Sequence, residues 1–255
     1  MYEDGAEYRK MNGVEKQIKE IVLNSVYVEP SSFNRVQPGQ LTSQGGRLFV
    51  SQFSHFTRNF PRWLAAVAAN CPVPEVRKFL AANIYEEEIG PGGQGSHYDL
   101  LLRQGEAMGL TREAIEKTTP FSTTLLAINA LENICRNPSW LEGLAATTGL
   151  ECINHPAVRA ESGVIIINDV RAWKHLGLND QQLKSRTIHM EEDEKHVETG
   201  LKILAGHAST EEAKEKVVNS AREAVLAFRL LMEGIGTAAL GSYPRKKRDS
   251  SLRSE

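Results

Sequence analysis

The chain has 255 residues, 41% of them hydrophobic, and its 30 basic and 32 acidic side chains leave a formal charge of −2. That size and composition support a sizeable buried core, and the balanced charge argues against the cationic face of nucleic-acid binders, so neither DNA nor RNA is an expected partner. Cys71, Cys135 and Cys152 form no C-x-x-C pair, the acidic start has no signal-peptide pattern and no apolar run reaches membrane-spanning length, so a reduced, cytoplasmic protein with no membrane partner is expected.

Val14, Ile18, Ile21 and Val22 recur at helical spacing and predict a first amphipathic helix. After the Pro-rich stretch from Pro30 to Pro38, Phe49, Phe53, Phe56, Phe60 and Leu64 mark a longer one, read as core packing rather than a cofactor box. A third starts near Pro74 and runs through Val76, Phe79, Leu80 and Ile84 to the break Gly90-Pro91-Gly92-Gly93, read as a hinge because the Lys-Ser/Thr of a phosphate loop is missing. A fourth restarts near Ser96. Thr123 to Arg136 reads as a buried helix, and Ser139-x-x-Glu142, Asn179-x-x-Gln182 and Ser209-x-x-Glu212 read as capping boxes for the helices that follow. The last of these runs through Val217, Ala221, Val225 and Leu230. The fold class is therefore all-α. Only Gly163 to Ile167 has strand propensity, and no partner strand is evident. The body, residues 1–242, reads as one domain, and 243–255 as a basic, disordered tail.

His189, Asp193 and His196 follow i, i+4, i+7 spacing, which places two imidazoles and a carboxylate along one helix face. Such donors suit Zn, Mn or Fe, and helical bundles build metal sites from inward-facing stripes of this kind. The competing reading is a solvated surface, which the surrounding Glu191, Glu192, Glu194 and Glu198 fit. Glu132 strengthens the metal reading: it is the one charge between Phe121 and Ile134, and a carboxylate buried there demands a cation. Glu87, at the end of the third helix, and His97, at the start of the fourth, flank the Gly-rich turn and can converge.

These residues resemble the haem-oxygenase-like di-iron oxidases and oxygenases, a group that includes the chlamydial death-domain-associating protein and the self-sacrificing para-aminobenzoate synthases. Asn83-Ile-Tyr-Glu-Glu-Glu-Ile-Gly90 is similar to the family's first-ligand segment, Glu132 to its bridging carboxylate, and His-x3-Asp-x2-His to the signature of its third core helix. The resemblance implies a haem-oxygenase-like, TenA/PqqC-like bundle of about seven core helices. It also implies a ligand set of Glu87, His97, Glu132, His189, Asp193 and His196 for two Fe ions, or an Mn/Fe pair. O2 is then the co-substrate and a homodimer the expected assembly. With no flavin or Fe–S motif, electrons come from an external reductase.

The implied activity is oxidation of a small carboxylate-bearing metabolite, an amino acid or derivative, by desaturation, C–C cleavage or a related route. A self-sacrificing para-aminobenzoate route, with Tyr27 near the sacrificial position, is an alternative, but Glu142 stands where that route needs lysine. N-oxygenation is disfavoured because Leu41 to Pro74 lacks the further acidic ligand. Thiaminase-type and haem-oxygenase chemistry lack their cysteine and proximal histidine. Arg58, Arg62 and Arg136 are available to pair a substrate carboxylate, although each reads more simply as a surface residue. From another class, a non-catalytic helical adaptor would leave the acids solvated. The segment between Gly149 and Trp173 reads as an insertion that shapes the pocket.

Overall fold

Apolar residues at three- and four-residue spacing build the helices that the sequence predicts, with differences at their ends. The computed structural model describes residues 13–90, 93, 95–137 and 139–240, except for the side chains of 189–193. The tail 243–255 and, within the Gly-rich break, Pro91 and Gly92 lie outside the described residues.

Helix α1 (Val14–Val22) buries Val14, Ile18 and Val22 and runs on into a π-helical turn, Leu23–Val28, that delivers Val26 and Tyr27 to the core. The predicted long aromatic helix is in fact two. In α2 (Ser43–Thr57) the Thr42 hydroxyl caps the first turn by accepting from Gly45 N–H, and α3 (Phe60–Asn70) begins afresh with Pro61 in its first turn, where no N–H is needed. Helix α4 (Pro74–Ile89) stops at Gly90, whose φ of 77° is open to glycine. Ser96 caps α5 (His97–Ala107), and the short α6 (Arg112–Glu116) is too brief to show a period.

Helix α7 (Ser122–Arg136) is amphipathic rather than buried: Thr124, Ala127, Leu131 and Cys135 face inward, while Leu125 and Leu126 are 50% and 60% exposed. Their positions fall off the i, i+3, i+7 stripe that faces the core. Helix α8 (Trp140–Glu151) is the central element, buried continuously from Gly143 to Glu151. Its expected capping box does not form, since the Ser139 side chain makes no capping bond. After α9 (Pro156–Ser162), the β-branched run does find a partner in the Pro-rich stretch. Ile167 N–H donates to Phe33 O (2.8 Å) and Val36 N–H to Ile165 O (2.9 Å), around an antiparallel bridge between Asn34 and Ile166. Asn179 and Gln182 exchange the expected reciprocal bonds, each 2.9 Å, just before α10 (Lys184–His207). Thr210, not Ser209, caps α11 (Glu211–Leu240), its hydroxyl accepting from Ala213 N–H at 3.1 Å.

Helix α11 lies along α1, α2, α7 and α8, and α10 packs on the other side of α8. The α8–α10 approach is close because position 200 is glycine: a Cβ there would sit 2.5 Å from Thr148 Oγ1. That contact lies one turn from both Glu151 on α8 and His196 on α10. No described helix is long and apolar enough to cross a membrane.

Candidate metal centre

The last turn of α4 places two acids where the bundle closes on α5, α8 and α10. Glu87 Oε2 lies 2.9 Å from His97 Nδ1, so the two residues that flank the Gly-rich turn do converge. Glu86 Oε2 lies 2.8 Å from His196 Nε2, and the other nitrogen of that ring, Nδ1, is 3.5 Å from Glu151 Oε1. Asn83, one turn before Glu87, donates from Nδ2 to Glu151 Oε1 at 2.7 Å, and its own Oδ1 is buried without a donor. Glu87, His97, Glu151 and His196 are each at least nine-tenths buried.

Glu132 lies elsewhere. The cation that the sequence demands for it is present, but it is Arg136, one turn on and exposed, while Trp63 Nε1–H donates to the other carboxylate oxygen at 2.9 Å. Burial works to raise the Glu132 carboxyl, but hydrogen bonds from Arg136 and Trp63 prevail and hold it below its usual range. The acid that joins the cluster is Glu151, which the sequence reading passes over. Ten residues beyond it stands Glu161, as Glu142 stands ten beyond Glu132, so neither position is a lysine. His189 and Asp193 lie on α10, but their side chains lie outside the described residues. Arg58 and Arg62 hydrogen-bond to His55 and Asn59, and Arg136 pairs with Glu132.

A cavity opens beside the cluster, with Glu87 and Glu151 in its wall and Phe53, Phe56, Phe60 and Phe228 as its apolar side. Behind Glu151, burial pushes the Cys152 thiol up to about 12, and Cys135 likewise, so neither is a thiolate near neutral pH. Flanking them, buried Lys19 donates to Glu198 Oε1 (2.8 Å), which lies 3.1 Å from His155 Nε2.

Among the described residues, no three His, Cys, Asp or Glu side chains already close around a metal position. The donor set nonetheless suits a hard or borderline cation: three carboxylates crowd two imidazoles in a mostly dry setting, and Asn83 adds an acceptor with no donor. Such an excess of acceptors is costly to bury unless a positive centre joins them.

Comparison with known proteins settles the family. Residues 47–229 match the model of the family described as iron-containing redox enzyme. The chain belongs to that family. Its relatives include the pyrroloquinoline-quinone synthase of Pseudomonas aeruginosa, 29% identical over 190 residues that cover 71% of this chain and 68% of that protein. The 4-aminobenzoate synthase of Chlamydia muridarum is 24% identical over 212 residues, 81% of this chain and 83% of the relative. Among solved structures, a CADD-like protein of unknown function from Nostoc punctiforme superposes with a TM-score of 0.67 at 18% identity, covering 92% of this chain and 100% of the other. A domain with a haem-oxygenase-like fold from Shewanella denitrificans gives 0.66 at 17%, covering 96% and 98%. The fold of this redox-family member is thus the all-α, haem-oxygenase-like bundle that the sequence reading expects.

Proposed function

We propose that this member of the iron-containing redox family is a non-haem di-iron, O2-dependent oxidase acting on a small carboxylate-bearing metabolite. The observation that carries the reading is the buried meeting of Glu87 with His97 and of His196 with Glu86 and Glu151, beside an aromatic-walled cavity. Glu87, His97, Glu151 and His196 would hold iron, with His189 and Asp193 completing the set along α10. Glu151 would stand in the donor set in place of Glu132, which the sequence nominates.

When bound, iron would supply the electrons and the open positions at which O2 is reduced. The remaining work falls to the chain. Phe53, Phe56, Phe60 and Phe228 keep water from the reacting end of the substrate. Asn83 fixes the Glu151 carboxylate through its 2.7 Å hydrogen bond. Electrons for the next turnover come from a separate reductase.

The test is anaerobic loading with ferrous iron, with metal counted per chain, followed by O2 uptake in the presence of a panel of amino, aromatic and fatty acids. About two irons per chain and acid-dependent O2 uptake support the reading. A well-folded protein that takes up no iron overturns it.

A further inference from the structure

Where α10 begins, the structure holds a cation that no described carboxylate neutralises. Arg186 is 95% buried, and its guanidinium carbon lies 5.0 Å from the Phe49 ring centre, 5.4 Å from Phe53 and 5.7 Å from Trp173. These π faces offer it partial compensation. Its hydrogen bonds run to neutral oxygens only, from Nε to Ser185 Oγ (3.2 Å) and from Nη1 to Asn168 Oδ1, and Nη2 donates to no described group. A guanidinium kept dry without an anion is a costly arrangement unless an anion arrives later.

A second donor waits in the same cluster. The Ser185 hydroxyl accepts from Arg186 and donates to Gln104 Oε1. Gln104 Nε2 is then left fully buried with no hydrogen-bond partner. Arg186, Ser185, Gln104 and Asn168 therefore form one connected group with donors to spare and no acceptor for them. The complement is a group that only accepts, with a single negative charge. A carboxylate meets that description, whereas a phosphate dianion would meet only one cation.

The group also borders the cavity. Asn168 and Phe53 both touch Arg186 and both line the chamber whose other wall holds Glu87 and Glu151. By helical register, position 186 shares the α10 face of 189, 193 and 196.

We infer that Arg186, supported by Gln104, is the anchor for the carboxylate of the substrate, and that the substrate is a monocarboxylic acid with an apolar, aryl or alkyl, body. The carboxylate sits at the Arg186 end, and the body runs along Phe53, Phe56 and Phe228 toward Glu87 and Glu151. This placement rests on the oxidase reading for its consequence but not for its test.

The test is calorimetric binding to chelator-treated, metal-free protein of 3-phenylpropionate and decanoate, of their primary amides, and of phenylphosphonate. The acids should bind about tenfold or more tighter than the amides, the range expected of a charge-assisted pair, and phenylphosphonate should not outcompete them. R186M, which exchanges a buried cation for an apolar chain, should fold and lose the acid preference, and R186K, which keeps charge without the fork, should retain part of it. Q104L should weaken acids and leave amides unchanged. Equal binding of acid and amide to the natural protein, an acid preference that survives in R186M, tighter phosphonate binding, or no binding of any of these ligands would overturn the inference. Because no iron is present, those failures are separable from failure of the oxidase reading, which would show as absent iron uptake beside intact acid binding.

Discussion

Glu151 and Glu132 are the two candidates for one place in the proposed metal centre, and a pair of isosteric substitutions separates them. Glu151→Gln keeps the shape of the side chain and the oxygen that receives Asn83 Nδ2–H, but removes the negative charge beside His196. Glu132→Gln removes a charge that only Arg136 and Trp63 meet. Ferrous iron at a hundred times its dissociation constant should stabilise the natural protein by about 2.7 kcal/mol. For a chain of this size that corresponds to a rise in Tm of about 5–11 °C. Loss of one metal donor should weaken binding by about a hundredfold or more, the upper end of what even an outer partner contributes. At the same iron concentration E151Q then retains about 0.4 kcal/mol, a shift of only about 1–2 °C. E132Q should keep the whole shift, and both metal-free variants should melt near the natural protein. The assay is anaerobic thermal unfolding with and without ferrous iron, with bound iron counted in parallel. A variant pair behaving the other way round, with E132Q losing the shift and E151Q keeping it, would refute the argument from geometry.

Asp169 is buried and held by Arg159 (2.6 Å) and Arg171 (2.7 Å), so Asp169→Asn should destabilise by about 3–5 kcal/mol, read as a lower urea midpoint at pH 7. Burial works to raise this carboxyl, but hydrogen bonds from Arg171 and the charges of both arginines hold it below its usual range. Its contribution is therefore complete above the ordinary value of about 3.9 and is lost as pH falls through the lower folded value, so the gap between natural protein and variant should narrow in strong acid. His155 is held below the ordinary histidine value by burial and then by the Lys19 charge, which makes stability fall as pH drops below about 6.5. Lys19→Met should raise the His155 titration in NMR and soften that acid-side loss; an unmoved titration would contradict the assigned contact. Tyr27 Oη donates to Ile153 O at 2.5 Å, so Tyr27→Phe should cost about 1–3 kcal/mol by leaving a buried carbonyl without its donor. Y27F should still consume O2 with an added acid, whereas abolished turnover with natural iron content would favour the self-sacrificing route.

Much of the bundle is written in periodicity. Val14, Ile18 and Val22, or Val217, Ala221 and Val225, announce their helices because a 3.6-residue period has only one buried solution. Local steric rules shift the boundaries: Pro61 restarts a helix where the aromatic period alone runs through, and Thr210 caps one residue later than the Ser-x-x-Glu pattern suggests. The partner of Gly163 to Ile167 was hidden because it is an irregular segment more than 120 residues away, visible only after folding. The approach of Glu87 and His97 is legible because a short turn joins them. Solitude in an apolar run does not by itself mean burial: Glu132 is only half-buried, and Leu125 and Leu126 on the same helix face solvent. Glu151 satisfies the same criterion, closing the run Gly143-Leu-Ala-Ala-Thr-Thr-Gly-Leu-Glu151. Small residues at 143, 145, 146 and 149 mark that helix as the one enclosed by neighbours on every side. Arg186 is silent in the sequence because an arginine beside Lys184 and Ser185 looks like the polar start of a helix; only its aromatic surroundings reveal it.

The contact of Gly200 with Thr148 gives the protein a mechanical adjustment. The separation of the helices that carry Glu151 and His196 is set there by a missing methyl rather than by those two side chains themselves. An alanine at 200 would act as a shim one carbon thick, and shortening Thr148 to alanine would take the shim out again. The gap between Glu151 and His196 can therefore be altered in small steps, by mutation or by drift, while both of those side chains stay the same.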